Sequence, residues 1–116
     1  MDKNKNLTVK EAFALAVKNH QLKNLDVAKN LYNQVLEINP NHLQALNNLG
    51  AVFQELGEYH KAKSCFEKGI EISPSNINLI YSLSFLLKAI IFDHKVEADK
   101  DNLKKLFLFL FRKNNI

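Results

Sequence analysis

Between Leu43 and Pro74, apolar residues return every three or four positions and then change phase. Leu43, Leu46, Leu49 and Phe53 share one helical face. Gly57 interrupts the run, as a residue just past a helix end should. Tyr59, Ala62, Phe66, Gly69 and Ile70 then mark one side of a second helix, closed by Ser73-Pro74. Gly50 and Ala62 let the two antiparallel helices approach closely, with Phe53 and Phe66 filling the space beside them. A single hairpin of this kind leaves one apolar face open and needs neighbours.

Those neighbours are present. Glu37-Ile38-Asn39-Pro40 and Glu71-Ile72-Ser73-Pro74 lie 34 residues apart. Thr8-Val9-Lys10-Glu11 reads as a capping box, which predicts a helix from Thr8 to about His20 and a partner from about Leu25 to Ile38. Asn41, with Gln44 three residues on, is the expected cap of the central hairpin. Ser75 or Asn76 should cap a third unit whose first helix runs from Ile77 to about Ile91. A loop from about Phe92 to Val96 and a helix from about Glu97 to Lys113 complete an all-α chain of about six helices.

The central stretch closely resembles a tetratricopeptide repeat. Leu49-Gly50 takes the paired Leu-Gly slot, and Phe53, Gly57, Tyr59, Ala62, Phe66 and Pro74 fill later signature slots in order. Leu46 stands where the family usually has Trp. A first repeat, about 9–42, matches through Ala12, Leu15, Ala16, Ala28, Tyr32 and Val35, although Lys23 sits at the turn-Gly slot and Asn19 at an aromatic one. The second repeat is about 43–76. A third, about 77–113, matches at Ile80, Leu83, Ser84 and Leu87 and then diverges: Val96 replaces the small Ala and Lys100 an aromatic. The resemblance implies a single domain over 1–116: a right-handed α-α superhelix of two clear hairpins plus a divergent third hairpin or cap.

The third unit departs in its apolar surface as well. Its first helix is apolar nearly all round, a pattern that demands burial on more than one side. On the last helix Leu103, Leu106, Phe107, Leu110 and Phe111 are expected to pack inward, leaving Leu108 and Phe109 as a partner or oligomer face. The terminal unit of a repeat array normally turns a polar face outward. Self-association through this helix, docking of another protein, a lost junction to a further domain, and tucking of Leu108 and Phe109 back under the loop near Phe92 are the competing readings. Bacterial proteins similar in repeat pattern include some that continue into transferase domains.

Charge and chemistry narrow the function. The net +4 comes almost wholly from Lys, with a lone Arg at position 112, and the Lys residues alternate with acids. Arg supplies the bidentate contacts of base and phosphate recognition, so no nucleic-acid partner is expected. No apolar run reaches membrane-spanning length and Met1–Asn6 lacks the apolar core of a secretory signal, so a cytoplasmic location is expected. His20, His42, His60 and His94 are scattered and predicted to be surface or loop residues. Cys65, the sole cysteine, falls beside the apolar stripe and should be partly buried. Asp99-Lys100-Asp101 lacks the Gly and Glu of a calcium loop. No catalytic constellation, metal set or cofactor motif is found.

Binding remains. In the family, first helices of each hairpin line a concave groove for a peptide or helix. The corresponding positions here are Lys10, Phe13, Val17, His20, Gln44, Asn47, Asn48, Ala51, Gln54, Asn78, Tyr81, Phe85 and Lys88. Their mixture of amides and apolar groups predicts a mixed or apolar peptide ligand. The family's carboxylate clamp would fall on Phe13, Val17, Asn48, Asn78 and Ser82, of which only Asn48 fits. An asparagine ladder would need Ala14, Asn48 and Ser82, and again only Asn48 fits. The expected function is a non-catalytic protein–protein interaction scaffold. The alternative is an accessory module recruiting substrate for a transferase carried on another chain.

Overall fold

In the computed structural model, which describes residues 7–92 and 100–114, the Thr8 capping box forms as the sequence predicts. The Thr8 hydroxyl accepts from the Glu11 amide at 3.1 Å, and the Glu11 carboxylate accepts from the Thr8 amide at 3.0 Å. These bonds satisfy amides that a helix start leaves unpaired and hold the Glu11 carboxyl below its ordinary value. Helix α1 (Val9–Gln21) is followed by α2 (Leu25–Ile38), α3 (Leu43–Glu55), α4 (Tyr59–Ile72), α5 (Ile77–Phe92) and α6 (Lys100–Asn114). The described residues contain helices and turns and no strand, in a helical solenoid.

Two caps sharpen the sequence reading. His42, not Asn41, caps α3: its Nδ1 accepts from the Ala45 amide at 3.1 Å, and Asn41 is exposed. Asn76 takes the corresponding role at α5, its Oδ1 accepting from the Leu79 amide at 3.2 Å. At the hairpin turns, Gly57 has φ 79° and Lys23 has φ 63°. Glycine takes this left-handed conformation without penalty, whereas a Lys side chain is strained in it.

Each hairpin pairs two antiparallel helices, α1 with α2 and α3 with α4. The first helix of the next hairpin packs on both: α3 meets α2 and α1, and α5 meets α4 and α3. Small residues set the spacing. Ala12, Ala16, Ala28, Ala45 and Ala62 are fully buried. A side chain on Gly50 would overlap the Phe66 ring, 2.7 Å from Cζ, and one on Gly69 would lie 2.8 Å from both Leu79 methyl carbons. Tyr32, Phe66, Leu31 and Ile70 fill the remaining interior. Cys65 is half-buried, and burial pushes its thiol up to about 11, so it remains protonated and inert near neutrality.

The C-terminal unit differs from the expectation in its rotation. Helix α6 buries Leu103, Leu106 and Leu110, whereas Phe107 and Phe111, expected to face inward, are exposed. Phe109, expected on the outer face, is half-buried and packs against the core, while Leu108 is exposed as predicted. The reason is the docking geometry: α6 meets α5 only lightly, and it rests on its leucine edge, not on the broad Leu-Phe stripe. Phe92, expected to open the loop, ends α5. The rest of that loop and the start of the last helix at Glu97 lie outside the described residues, as does His94.

Candidate functional site

Because α3 touches both α1 and α5, the first helices of the three units line up on one side of the molecule. A groove of about 500 Å³ opens there between α3 and α5. Ala51 and Gln54 form one wall and Tyr81 and Phe85 the other, with Tyr59 and Phe66 of α4 contributing to the lining. Tyr81 and Phe85 are 66% and 71% exposed, a large apolar surface for two side chains on one α-helix turn. Gly50 underlies this shape. With no side chain there, the buried Phe66 ring packs directly against the α3 backbone beneath the groove.

The other positions that the sequence nominated are distributed around this opening. Asn47 is half-buried and bridges two units, accepting from the Ser82 hydroxyl at 2.6 Å. Asn48 is half-buried beside the hydroxyl of Tyr32. Burial pushes that hydroxyl's pKa up and Asn48 draws it partly back, yet among the described residues no hydrogen bond of ordinary geometry reaches the Tyr32 oxygen. Lys10, Gln44, Asn78 and Lys88 are exposed and lie outside the groove lining.

At the first-repeat end the chain uses its own groove residues. Phe13 stacks on His42 with ring centroids 4.9 Å apart, and both Phe13 and Val17 pack against the core. His20 Nε2 lies 2.5 Å from a Glu55 oxygen, and Lys23 Nζ lies 2.7 Å from the other. Partial burial of Glu55 raises its pKa, but the bonds and charges of Lys23 and His20 outweigh this and hold it below the ordinary carboxylate value. The Glu55 cluster ties the end of α1 and its turn to the end of α3.

Sequence reasoning missed Glu55, Tyr59, Ser82 and Phe66 as groove residues and His42 as a cap. One signal was available: His20 and Glu55 both lie at the C-terminal ends of first helices, one repeat apart, where successive helix ends come side by side. Among the described residues no three His, Cys, Asp or Glu side chains converge on a point, and no helix is long and apolar enough to cross a membrane.

Two profiles described as tetratricopeptide repeat match residues 43–76 and 12–42. An uncharacterized protein ycf37 from Pyropia yezoensis is 43% identical over 49 residues, covering 42% of this chain and 28% of that protein. The DnaJ protein P58IPK homolog A of Oryza sativa subsp. japonica is 31% identical over 77 residues, or 66% of this chain and 16% of that protein. A crystal structure of MamA protein superposes with a TM-score of 0.74 at 21% identity, covering 93% of this chain and 55% of that one. The chain thus spans less than two thirds of each of these relatives, and the MamA likeness is one of fold.

Proposed function

The chain belongs to the tetratricopeptide repeat family, and from that premise we propose that it is a non-catalytic scaffold holding an extended peptide or the face of a helix between α3 and α5. Repeats of this family bind protein partners. The observation that carries the reading here is the open groove with Tyr81 and Phe85 exposed along it. Each of these rings contributes about 1.5–3 kcal/mol when a ligand side chain covers it fully. Across from them Gln54 can both donate to and accept from a peptide backbone, and the small Ala51 leaves room for the chain to approach. Glu55 is paired with Lys23 and bonded to His20, which favours a mixed or apolar ligand over a strongly charged one.

Panning a random peptide library on the immobilised full chain tests this. Enriched peptides should carry apolar or aromatic residues and lose about tenfold or more in affinity for Tyr81→Ala and Phe85→Ala proteins of unchanged helicity. Peptides that bind both variants as well as the parent would sink the assignment. No feature of the groove or of the relatives favours the alternative of substrate recruitment for a transferase.

A further inference from the structure

The two walls of the α3–α5 groove differ in chemistry. Along α3, Asn47, Ala51 and Gln54 follow at four- and three-residue spacing, so two amides share one face with a small residue between them. Along α5, Tyr81 and Phe85 stand one turn apart and exposed. One wall offers hydrogen bonds and the other offers apolar rings.

The amides decide what can lie between these walls. Asn47 and Gln54 are both half-buried. Asn47 Oδ1 accepts from the hydroxyl of Ser82, a lining residue, which pins the Asn47 amide beside the groove. Among the described residues, the Asn47 Nδ2 donors and the Gln54 side chain have no hydrogen-bond partner. A ligand that closes over them strips away water and must replace it, because a desolvated amide without a partner costs affinity. In a helix the interior backbone N–H and C=O groups are bonded to each other, so it meets this wall with side chains alone. An extended chain keeps its backbone groups open for such contacts. At 1.5 Å per residue, Asn47 and Gln54 lie about 10 Å apart along α3. An extended chain advances about 3.3 Å per residue, so backbone groups three residues apart reach both amides. Its alternate side chains, about 6.6 Å apart, fall against Tyr81 and Phe85 in turn. Charge adds little: Glu55 in the lining is already bonded to His20 and Lys23, and Lys88 lies outside it.

We infer that the groove takes an extended, uncharged segment of a partner protein and not a helix. Its backbone hydrogen-bonds to Asn47 and Gln54, and its alternate apolar side chains pack on Tyr81 and Phe85. This assignment rests on the α3–α5 groove being the ligand site.

The test uses the full chain and two uncharged, end-capped synthetic peptides. One, of about eight residues, alternates Leu and Trp with Thr in a strand pattern. The other, of about fourteen, carries Leu and Trp at three- and four-residue spacing, with Gln between them and α-aminoisobutyrate to hold a helix. The chain contains no Trp, so the peptide's own fluorescence reports binding. The strand-patterned peptide should bind about tenfold or more tightly. Asn47→Asp keeps the acceptor for Ser82 and loses the amide donors, and Gln54→Met keeps the length and loses the amide. Each, at unchanged helicity, should weaken the strand-patterned peptide about fivefold or more and leave the helical one unaltered. Exchanging backbone amides of the strand-patterned peptide for esters, which deletes N–H donors, should weaken it likewise. Tighter binding of the helical peptide, or strand-peptide binding that ignores both variants and the esters, overturns the inference. If that binding still falls in Phe85→Ala, the groove itself stands as the ligand site. Binding of neither peptide overturns both.

Discussion

The Phe66 ring fills the space that any side chain on Gly50 would need. In a helix interior, replacing Gly by Ala ordinarily gains up to about 1 kcal/mol. Here the added methyl must displace a buried ring, and overpacking of this kind costs about 1–3 kcal/mol. Gly50→Ala should therefore lower stability by about 1–2 kcal/mol in urea unfolding, net of the propensity gain. In a Phe66→Leu background, the same change should become neutral or stabilising, because the two sites are coupled.

Lys23 occupies the left-handed position that Gly57 occupies in the next hairpin. Lys23→Gly removes that strain and also removes the bond to Glu55. The strain is worth about 1 kcal/mol, and an exposed ion pair typically about 0–1 kcal/mol, so the two effects oppose each other. Thermal melts should show a clear gain from Lys23→Gly in a Glu55→Gln protein and a smaller one in the parent.

Glu55 also predicts a pH dependence. Its pKa is lower folded than the ordinary 4.5. The stabilisation is therefore present above that unfolded value and is lost as the pH falls through the lower folded one. Melting temperature should drop on acidification below about pH 4.5, and Glu55→Gln should flatten that part of the acid limb. An unchanged limb in the variant would remove Glu55 from the account.

The Tyr32 hydroxyl is fully buried and, among the described residues, only Asn48 lies beside it, without a hydrogen bond of ordinary geometry. A desolvated, unpaired hydroxyl costs about 1–3 kcal/mol. Tyr32→Phe should therefore keep or raise stability, by up to about 1 kcal/mol. A loss of more than about 1 kcal/mol would show that Asn48 and Tyr32 form a bond that matters.

The hairpins were legible because their signals are local. Gly57 at a turn, Gly50 opposite a large ring, and the Thr8–Glu11 box each act within a few residues or one packing layer. The choice of His42 over Asn41 was not legible. It follows from Phe13, which stacks on the His42 ring and holds it over the start of α3. The stripe on α6 was read with the right period but the wrong rotation. Periodicity ranks residues by angle, whereas the burial of Phe109 and the exposure of Phe107 depend on how far α6 rolls against α5. Tyr81 and Phe85 were nominated as groove residues from repeat position alone, while Glu55, Tyr59 and Ser82 emerged only when helix ends and units were brought together.

The most direct test of the scaffold reading is amide NMR of the ¹⁵N-labelled chain titrated with the peptide most enriched in panning. Shift changes should concentrate on Ala51, Gln54, Tyr81, Ser82 and Phe85, and vanish in Phe85→Ala. Changes confined to α2 and α6, away from that groove, would contradict it.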